Sequence, residues 1–439
     1  MGELLIRGNI PLCGNVEVGG RKNSAVAVLP TVLLAEGTSA LENLPAIRDV
    51  STYRKILMEL GAEVSELEDG VMEIDASGLK PDVPPLELVK QIRASYYLLG
   101  ALLGRFGYAR VGLPGGCDIG QRPVDQHLKG FKALGAEVKV EHGEVVAEAD
   151  QLEGDHIYLD VASVGATINI MLAAVMARGT TVMENCAREP HIVDVASCLN
   201  SMGARVVGAG TDTIKIHGVE HLHPTSHAII PDEIEAATYA IATSATGGEI
   251  TLRNVVPKHL ESVIAKLRES GIEVEDNGDW IRVRSENRPQ AIQVKTLPYP
   301  GFPTDAMPPM MVLLAIAEGT SVVSEGVYES RFKHVDQLQR MGTDIQVQGR
   351  TAVIEGVEQL YGTSVNACTL RAGAALVIAG LVAEGETIVS GIEHVERGYE
   401  FLRTKLRAIG ADVQRTGGSE SAVDGEGECA RVVNLGNMS

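Results

Sequence analysis

Leu134-Gly135-Ala136-Glu137-Val138 ends an amphipathic run and opens a short β-like one, and five more versions of this junction occur along the chain. They are Leu60-Gly61-Ala62-Glu63-Val64, Met202-Gly203-Ala204-Arg205-Val206, Ser270-Gly271-Ile272-Glu273-Val274, Met341-Gly342-Thr343-Asp344-Ile345 and Ile409-Gly410-Ala411-Asp412-Val413. The glycines stand 74, 68, 68, 71 and 68 residues apart. So long a period exceeds that of most solenoid repeats and has room for several elements of secondary structure. Before the glycine the apolar residues follow a 3.6-residue period, with Val124, Leu128, Phe131 and Leu134 on one face in the second unit and Leu402, Leu406 and Ile409 in the sixth. The glycine then reads as the residue that ends this helix in the left-handed conformation.

An earlier apolar stretch in several units also ends at a glycine before a strand-like run, as in Ala35-Glu36-Gly37-Thr38, Ala177-Arg178-Gly179-Thr180, Ala317-Glu318-Gly319-Thr320 and Ala383-Glu384-Gly385-Glu386. Later in the unit, Asp69-Gly70, His142-Gly143 and Asn277-Gly278 predict tight type I′ hairpins. Each unit is therefore β-α-β-β plus a second helix, and six units divide into two domains of three. Charge supports matched halves, since residues 1–231 and 232–439 each carry 19 Lys+Arg and 29 Asp+Glu. The stretch 416–439, rich in Gly, Ser and Glu, falls outside the repeat and reads as a mobile tail.

With 439 residues, a net charge of −20, and 45% hydrophobic but 4% aromatic residues, the chain is neither a polybasic nucleic-acid binder nor a disordered one. Its longest uncharged run, Val161 to Ala177, is broken by Ser163, Gly165, Thr167 and Asn169 and predicts a buried helix, with no membrane insertion. Met1-Gly2-Glu3-Leu4-Leu5-Ile6-Arg7 has neither a basic n-region nor a long apolar h-region, so a cytoplasmic protein is expected. Cysteines 13, 117, 186, 198, 368 and 429 form no Cys-x-x-Cys pair. Neither zinc nor a disulfide framework is indicated, and most are expected to be reduced core residues.

The loop before each repeated helix carries a cation: Arg48, Arg122, Arg188, Lys258, Arg331 and Arg397. A cation beside the positive end of a helix makes an anion site, although single arginines in such places commonly form only surface ion pairs. The segment Leu113 to Asp125 packs three glycines around Cys117, with Arg122 close by, which favours a reactive thiol or a tuned proton donor. Gly19-Gly20-Arg21-Lys22-Asn23-Ser24 suggests an anion loop but fails the Walker spacing, because Gly20 stands where that motif needs Lys. His221, His223 and His227 are irregularly spaced for a metal and read as a solvated linker.

Taken together, Gly20-x-Lys22-Asn23, Arg93-Ala94-Ser95, Pro114-Gly115-Gly116-Cys117-x-Ile119-Gly120-x-Arg122-Pro123-x-Asp125, Ser163-Val164-Gly165-Ala166-Thr167, Phe302-Pro303-Thr304-Asp305, Arg331-Phe332-x-His334 and Arg397-Gly398-Tyr399-Glu400 carry a resemblance. The chain resembles the UDP-N-acetylglucosamine 1-carboxyvinyltransferases, enolpyruvyl transferases that open bacterial peptidoglycan synthesis, from about residue 3 to about 414. The resemblance implies an α/β fold, a two-domain inside-out α/β barrel of six β-α-β-α-β-β repeats. Residues 22–231 would form one domain, with the Cys117 lid loop and much of the UDP site. Residues 1–21 plus 232–439 would form the other, with Asp305, Arg331, Arg371 and Arg397.

The implied reaction transfers the enolpyruvyl group of phosphoenolpyruvate to the 3-hydroxyl of UDP-N-acetylglucosamine and releases phosphate, with no metal or organic cofactor. Phosphoenolpyruvate is a small, highly charged anion, so binding it needs several fixed cations. Lys22, Arg122 and Arg397 match the family's phosphate-side positions, and Arg331 and Arg371 its carboxylate and closure contacts. Cys117 matches the family's acid, which also forms a thioether adduct with phosphoenolpyruvate and is the target of fosfomycin. Asp305 matches the residue at the 3-hydroxyl, as base or positioning group. The sugar nucleotide would lie along Arg122, Pro123, Val124, Asp125 and Gln126 and along Ser163, Val164 and Gly165, with Asn23, Arg93 and the Val327 backbone completing its site. Catalysis would then require closure over a hydrolysable intermediate.

Three positions depart from the family pattern: Thr369 for a usual Asp before Leu370-Arg371, Ala237 for a usual Gly, and Val161 where some members place Lys. Two other readings stay open, a shikimate-pathway enolpyruvyl transferase and a weakened paralogue that binds the sugar nucleotide and regulates.

Overall fold

The repeat is visible in the backbone. In the computed structural model, which describes residues 2–66, 70–113 and 124–417, all six junction glycines have φ between 87° and 100°. Any other residue would be strained there, which is why the period is written in glycine. Gly37, Gly179, Gly319 and Gly385 share the same conformation at the earlier junction.

The third unit shows the pattern in full. Strand His156–Tyr158 leads into helix Val164–Ala174, strand Thr180–Glu184, helix Pro190–Ser201, and strands Arg205–Val207 and Thr213–His217. The first two strands pair in parallel and the last two antiparallel, giving a four-stranded sheet. The first helix is buried almost all round and the second is amphipathic, so the first lies inside and the second on the surface. Strand residues alternate between buried and exposed, leaving one face of the sheet towards solvent. Helices inside and sheets outside is the inside-out order expected.

Six sheets form among the described residues, five of four strands and one of three, and they remain separate. Two units depart from a simple tandem. The second, with strands Tyr108–Gly112, Glu137–Glu141 and Glu144–Glu148, has no leading strand in its sheet. In the sixth, the middle hairpin strand comes from the chain start: Glu3–Arg7 pairs antiparallel with both Glu386–Ser390 and Asp412–Thr416.

The described residues form two compact bodies, residues 2–19 with 231–417, and residues 20–113 with 124–230. The chain begins in the first body and leads its fourth unit with Leu12–Glu17, parallel to Gly248–Arg253. It builds the second body, completes it by laying Ser226–Ala228 parallel to Thr38–Glu42, and returns. Each body has its own apolar core. In the first, the inner helices Glu233–Thr246, Met307–Ala315 and Leu370–Val382 all pack together. In the second, helix Tyr97–Phe106 meets Val164–Ala174 so closely that a Cβ on Gly100 would stand 2.2 Å from the Asn169 carbonyl oxygen.

Four sequence expectations need correction or lie out of reach. His142 and Gly143, both at positive φ, form the type I′ turn expected, but Asn277 pairs with Trp280, so that turn centres one residue later on Gly278-Asp279. Thr416 belongs to the last strand and not to a tail; residues 418–439, and Asp69 of the first hairpin, lie outside the described residues. Of the four described cysteines only Cys186 and Cys198 are buried, while Cys13 and Cys368 are exposed. His227 is no solvated linker residue: its Nε2 lies 2.9 Å from Oδ1 of the buried Asp194, and the imidazole is largely covered.

Candidate active site

In the second body, the turn after Gly20 places the start of helix Lys22–Thr31. Gly20 must lack a side chain, since a Cβ would stand 1.7 Å from the Asn43 carbonyl oxygen. Lys22 is the first helical residue, and its Nζ lies 3.0 Å from Asp49 Oδ2. Asn23 follows it, half-buried. Ser24, in the same turn, donates to the buried Asp194 carboxylate, which also holds His227, so the turn carrying Lys22 and Asn23 is tied to helix Pro190–Ser201.

Two other predicted stretches of this body come together. Gln126 is buried in helix Asp125–Ala133; its Nε2 donates to Asp125 Oδ2 at 2.8 Å and to Asp160 Oδ2 at 3.0 Å, and its Oε1 accepts from the Asp160 amide at 2.9 Å. Three bonds from one amide side chain therefore lock the segment before Ser163 onto the helix after Val124. Ser163 caps helix Val164–Ala174 by accepting from the Ala166 amide. The Val164 and Gly165 amides in that first turn have no intrahelical acceptor, an arrangement suited to phosphate oxygens. A Cβ on Gly165 would touch the His127 ring at 3.0 Å, so glycine permits the close approach.

His127 fixes this region electrostatically. The Gly100 amide donates to Asn169 Oδ1, so Asn169 Nδ2 is the donor to the Tyr96 carbonyl and to His127 Nδ1 at 2.9 Å. Nδ1 is thus an acceptor and the imidazole is neutral, consistent with burial pulling its pKa down to about 4. Arg93 lies nearby, half-buried at the start of the short helical turn Arg93–Tyr96. Cys117, Arg122 and Pro123 lie outside the described residues.

In the first body, three predicted residues from three segments converge. Asp305 precedes helix Met307–Ala315, Arg331 precedes helix Val335–Arg340, and Arg371 is the second residue of helix Leu370–Val382. Arg331 Nη2 donates to Asp305 Oδ1 and Arg371 Nε to Asp305 Oδ2 at 3.3 Å. Both arginine side chains are 4% exposed, against 27% for Asp305. Two buried cations share one carboxylate, Asp232 also acts on Arg371, and Arg371 Nη1 stays buried with no hydrogen-bond partner among the described residues, a donor suited to an anionic ligand. Arg371 also lies 5.1 Å over the Tyr399 ring.

The remaining predicted positions are placed as follows. Glu325, buried, accepts from Thr304 Oγ1 with one oxygen and from the Val327 and Tyr328 amides with the other. It thereby ties the Val327 turn to the residue before Asp305 and engages the Val327 amide. Arg397 is half-buried in the turn that also carries Tyr399. Arg188 makes only an exposed pair with Asp212, and Lys258 is exposed, so the six-fold row of cations does not behave as one set. Asp49, Asp194, His127, Glu325 and Tyr399 were not singled out from sequence; only Tyr399 stood inside a quoted motif. Among the described residues no group of three or more His, Cys, Asp or Glu is arranged to hold a metal, and no helix is long and apolar enough to cross a membrane.

A family model described as EPSP synthase (3-phosphoshikimate 1-carboxyvinyltransferase) matches residues 6–428. The chain belongs to this family, the enolpyruvyl transferases, and has their fold. The chain is similar to relatives named UDP-N-acetylglucosamine 1-carboxyvinyltransferase: a Clostridium botulinum protein is 54% identical over 94% of this chain and 100% of its own, and a Symbiobacterium thermophilum protein 55% identical over 94% and 98%. Among solved structures, the enolpyruvyl transferase NikO from Streptomyces tendae is 27% identical with a TM-score of 0.86, covering 95% of this chain and 99% of its own. EPSP synthase from Acinetobacter baumannii shares the fold at 21% identity and a TM-score of 0.76, covering 95% and 100%.

Proposed function

We propose that the chain is an enzyme transferring the enolpyruvyl group of phosphoenolpyruvate to the 3-hydroxyl of UDP-N-acetylglucosamine, with release of phosphate, in the cytoplasm. The observation that carries this reading is identity of 54% to a full-length relative of that name, across nearly the whole chain. The arrangement of charge agrees with it. Arg331 and Arg371 converge on Asp305 with Arg371 Nη1 left as a donor unpaired among the described residues, and Lys22 stands at a helix start, groups of the kind a small multiply charged anion requires. The helix start at Ser163, Val164 and Gly165 offers amide donors of the kind a diphosphate needs.

In the reaction, the sugar oxygen bonds to C2 of phosphoenolpyruvate while C3 gains a proton; loss of that proton and of phosphate then restores the double bond. Asp305 is assigned to accept or orient the hydroxyl proton, and Cys117 to deliver the proton to C3. Lys22, Arg122 and Arg397 are assigned to the phosphate, and Arg331 and Arg371 to the carboxylate side. Asn23, Arg93, Pro123, Val124, Asp125, Gln126 and Val327 are assigned to the sugar nucleotide, together with the capped helix start. The two-domain division into 22–231 and 1–21 plus 232–439 is retained for these assignments.

The test is mass spectrometry of the sugar nucleotide after incubation with phosphoenolpyruvate. A UDP-N-acetylglucosamine bearing one enolpyruvyl group is the expected product, and unchanged sugar nucleotide contradicts the reading. Full turnover and fosfomycin sensitivity in Cys117→Ser would overturn the role given to the thiol.

A further inference from the structure

Arg371 lies over the ring of Tyr399, and that ring is held by a chain of hydroxyl groups whose direction can be deduced. The Arg371 guanidinium carbon is 5.1 Å from the centre of the Tyr399 ring, and the Tyr399 hydroxyl lies 2.8 Å from Thr238 Oγ1. Thr238 Oγ1 in turn lies 2.7 Å from the Ile234 carbonyl oxygen. A carbonyl can only accept, so Thr238 gives its one proton to Ile234 and can only accept from Tyr399. Tyr399 is therefore the donor to Thr238. The chain runs one way, from the Tyr399 hydroxyl through Thr238 to the Ile234 carbonyl, and holds the ring on which Arg371 rests.

Its far end is anchored. Ile234 lies in the first turn of helix Glu233–Thr246, where Asp232 Oδ1 accepts from the Ile234 amide at 2.8 Å and the Glu235 amide at 3.1 Å. Arg371, Tyr399 and Thr238 are each buried, so little water competes for these bonds. With Nε on Asp305 and the ring of Tyr399 beneath the guanidinium plane, Arg371 Nη1 remains buried with no hydrogen-bond partner. A buried donor left unpaired is costly, and an anionic ligand would relieve that cost.

We propose that Tyr399 is a positioning residue that supports the plane of Arg371 with its ring, the ring being fixed by this one-way chain, so that Nη1 is held ready for an anionic group of phosphoenolpyruvate. The proposal rests on the functional reading above for the identity of the anion. It also accounts for the departure at residue 369. Thr369 accepts from the Ala372 amide as the cap of its own helix, and the orientation of Arg371 comes from Asp305 and Tyr399 instead.

Tyr399→Phe keeps the ring beneath Arg371 and removes only the hydroxyl. With the ring released from its anchor, the expected result is a rise of about fivefold in KM for phosphoenolpyruvate, in line with loss of one buried hydrogen bond between neutral groups, with KM for UDP-N-acetylglucosamine within about twofold. Thr238→Val should give the same split and Thr238→Ser should restore it. An unchanged KM for phosphoenolpyruvate in Tyr399→Phe overturns the proposal. So does an equal rise in both KM values accompanied by a lowered Tm, the signature of general loosening. If the wild-type enzyme releases no phosphate with this substrate pair, the functional reading fails, and hydrogen exchange at the Arg371 Nε–H, followed by NMR, decides the proposal by itself. Faster exchange in Tyr399→Phe supports it, and identical exchange overturns it.

Discussion

Arg371 Nε lies 3.3 Å from Asp305 Oδ2, while Arg331 occupies the other oxygen of the same carboxylate. One acidic group assigned to the acceptor hydroxyl thus also holds two cations assigned to the anion. Replacing Asp305 by Asn keeps the shape but removes the charge. The loss in kcat is expected to be on the order of a hundredfold or more, the usual scale for a positioned proton acceptor. Steady-state phosphate release measures it.

A second ion pair is structural. Lys405 Nζ lies 2.8 Å from Glu235 Oε1, both side chains are nearly inaccessible, and Glu235 also accepts from the Gly19 amide at 2.8 Å. Burial pushes the Glu235 pKa up despite Lys405, so the carboxylate depends on its partner. Lys405→Met should cost about 3–5 kcal/mol by stranding a buried charge. The double variant with Glu235→Gln should recover a large part of it, read as the urea midpoint of each protein.

Two buried histidines predict acid sensitivity. Burial lowers the pKa of His127 to about 4 and that of His334 to about 3, so the folded chain binds fewer protons than the unfolded one below pH 6.5. Stability therefore falls as pH drops from about 6.5 towards 4, and His127 alone accounts for roughly 2 kcal/mol at pH 5. Comparing urea midpoints at pH 7.5 and 5 tests this. His127→Gln should flatten the pH dependence by that amount while the share of His334 remains.

Thr369 is a helix cap, and its replacement should act on stability. Thr369→Ala is expected to cost about 1 kcal/mol, whereas Thr369→Asp, which also caps well, should stay within about 0.5 kcal/mol of the parent. Thermal melts of the three proteins give the comparison.

The architecture was legible where the backbone constrains residue type. Six positions at φ near 90° admit glycine almost alone, so the period is written at Gly61, Gly135, Gly203, Gly271, Gly342 and Gly410. Strand exchange leaves no such mark. That Glu3–Arg7 completes the sixth sheet and Ser226–Ala228 the first depends on pairing across more than 180 residues, which local patterns do not encode. At the site, motif resemblance picked out Asp305, Arg331 and Arg371, but the residues that hold them did not stand out. Glu325, Thr238 and Tyr399 act through burial and hydrogen-bond direction, properties that exist only once the helices are packed. His227 was misread for the same reason: its partner, Asp194, is 33 residues away.

The most direct test of the account is phosphate release from phosphoenolpyruvate with two acceptors offered separately, UDP-N-acetylglucosamine and shikimate 3-phosphate. The account predicts sustained release with the sugar nucleotide and none above background with the shikimate ester. Release with shikimate 3-phosphate alone, or with neither acceptor, would contradict it.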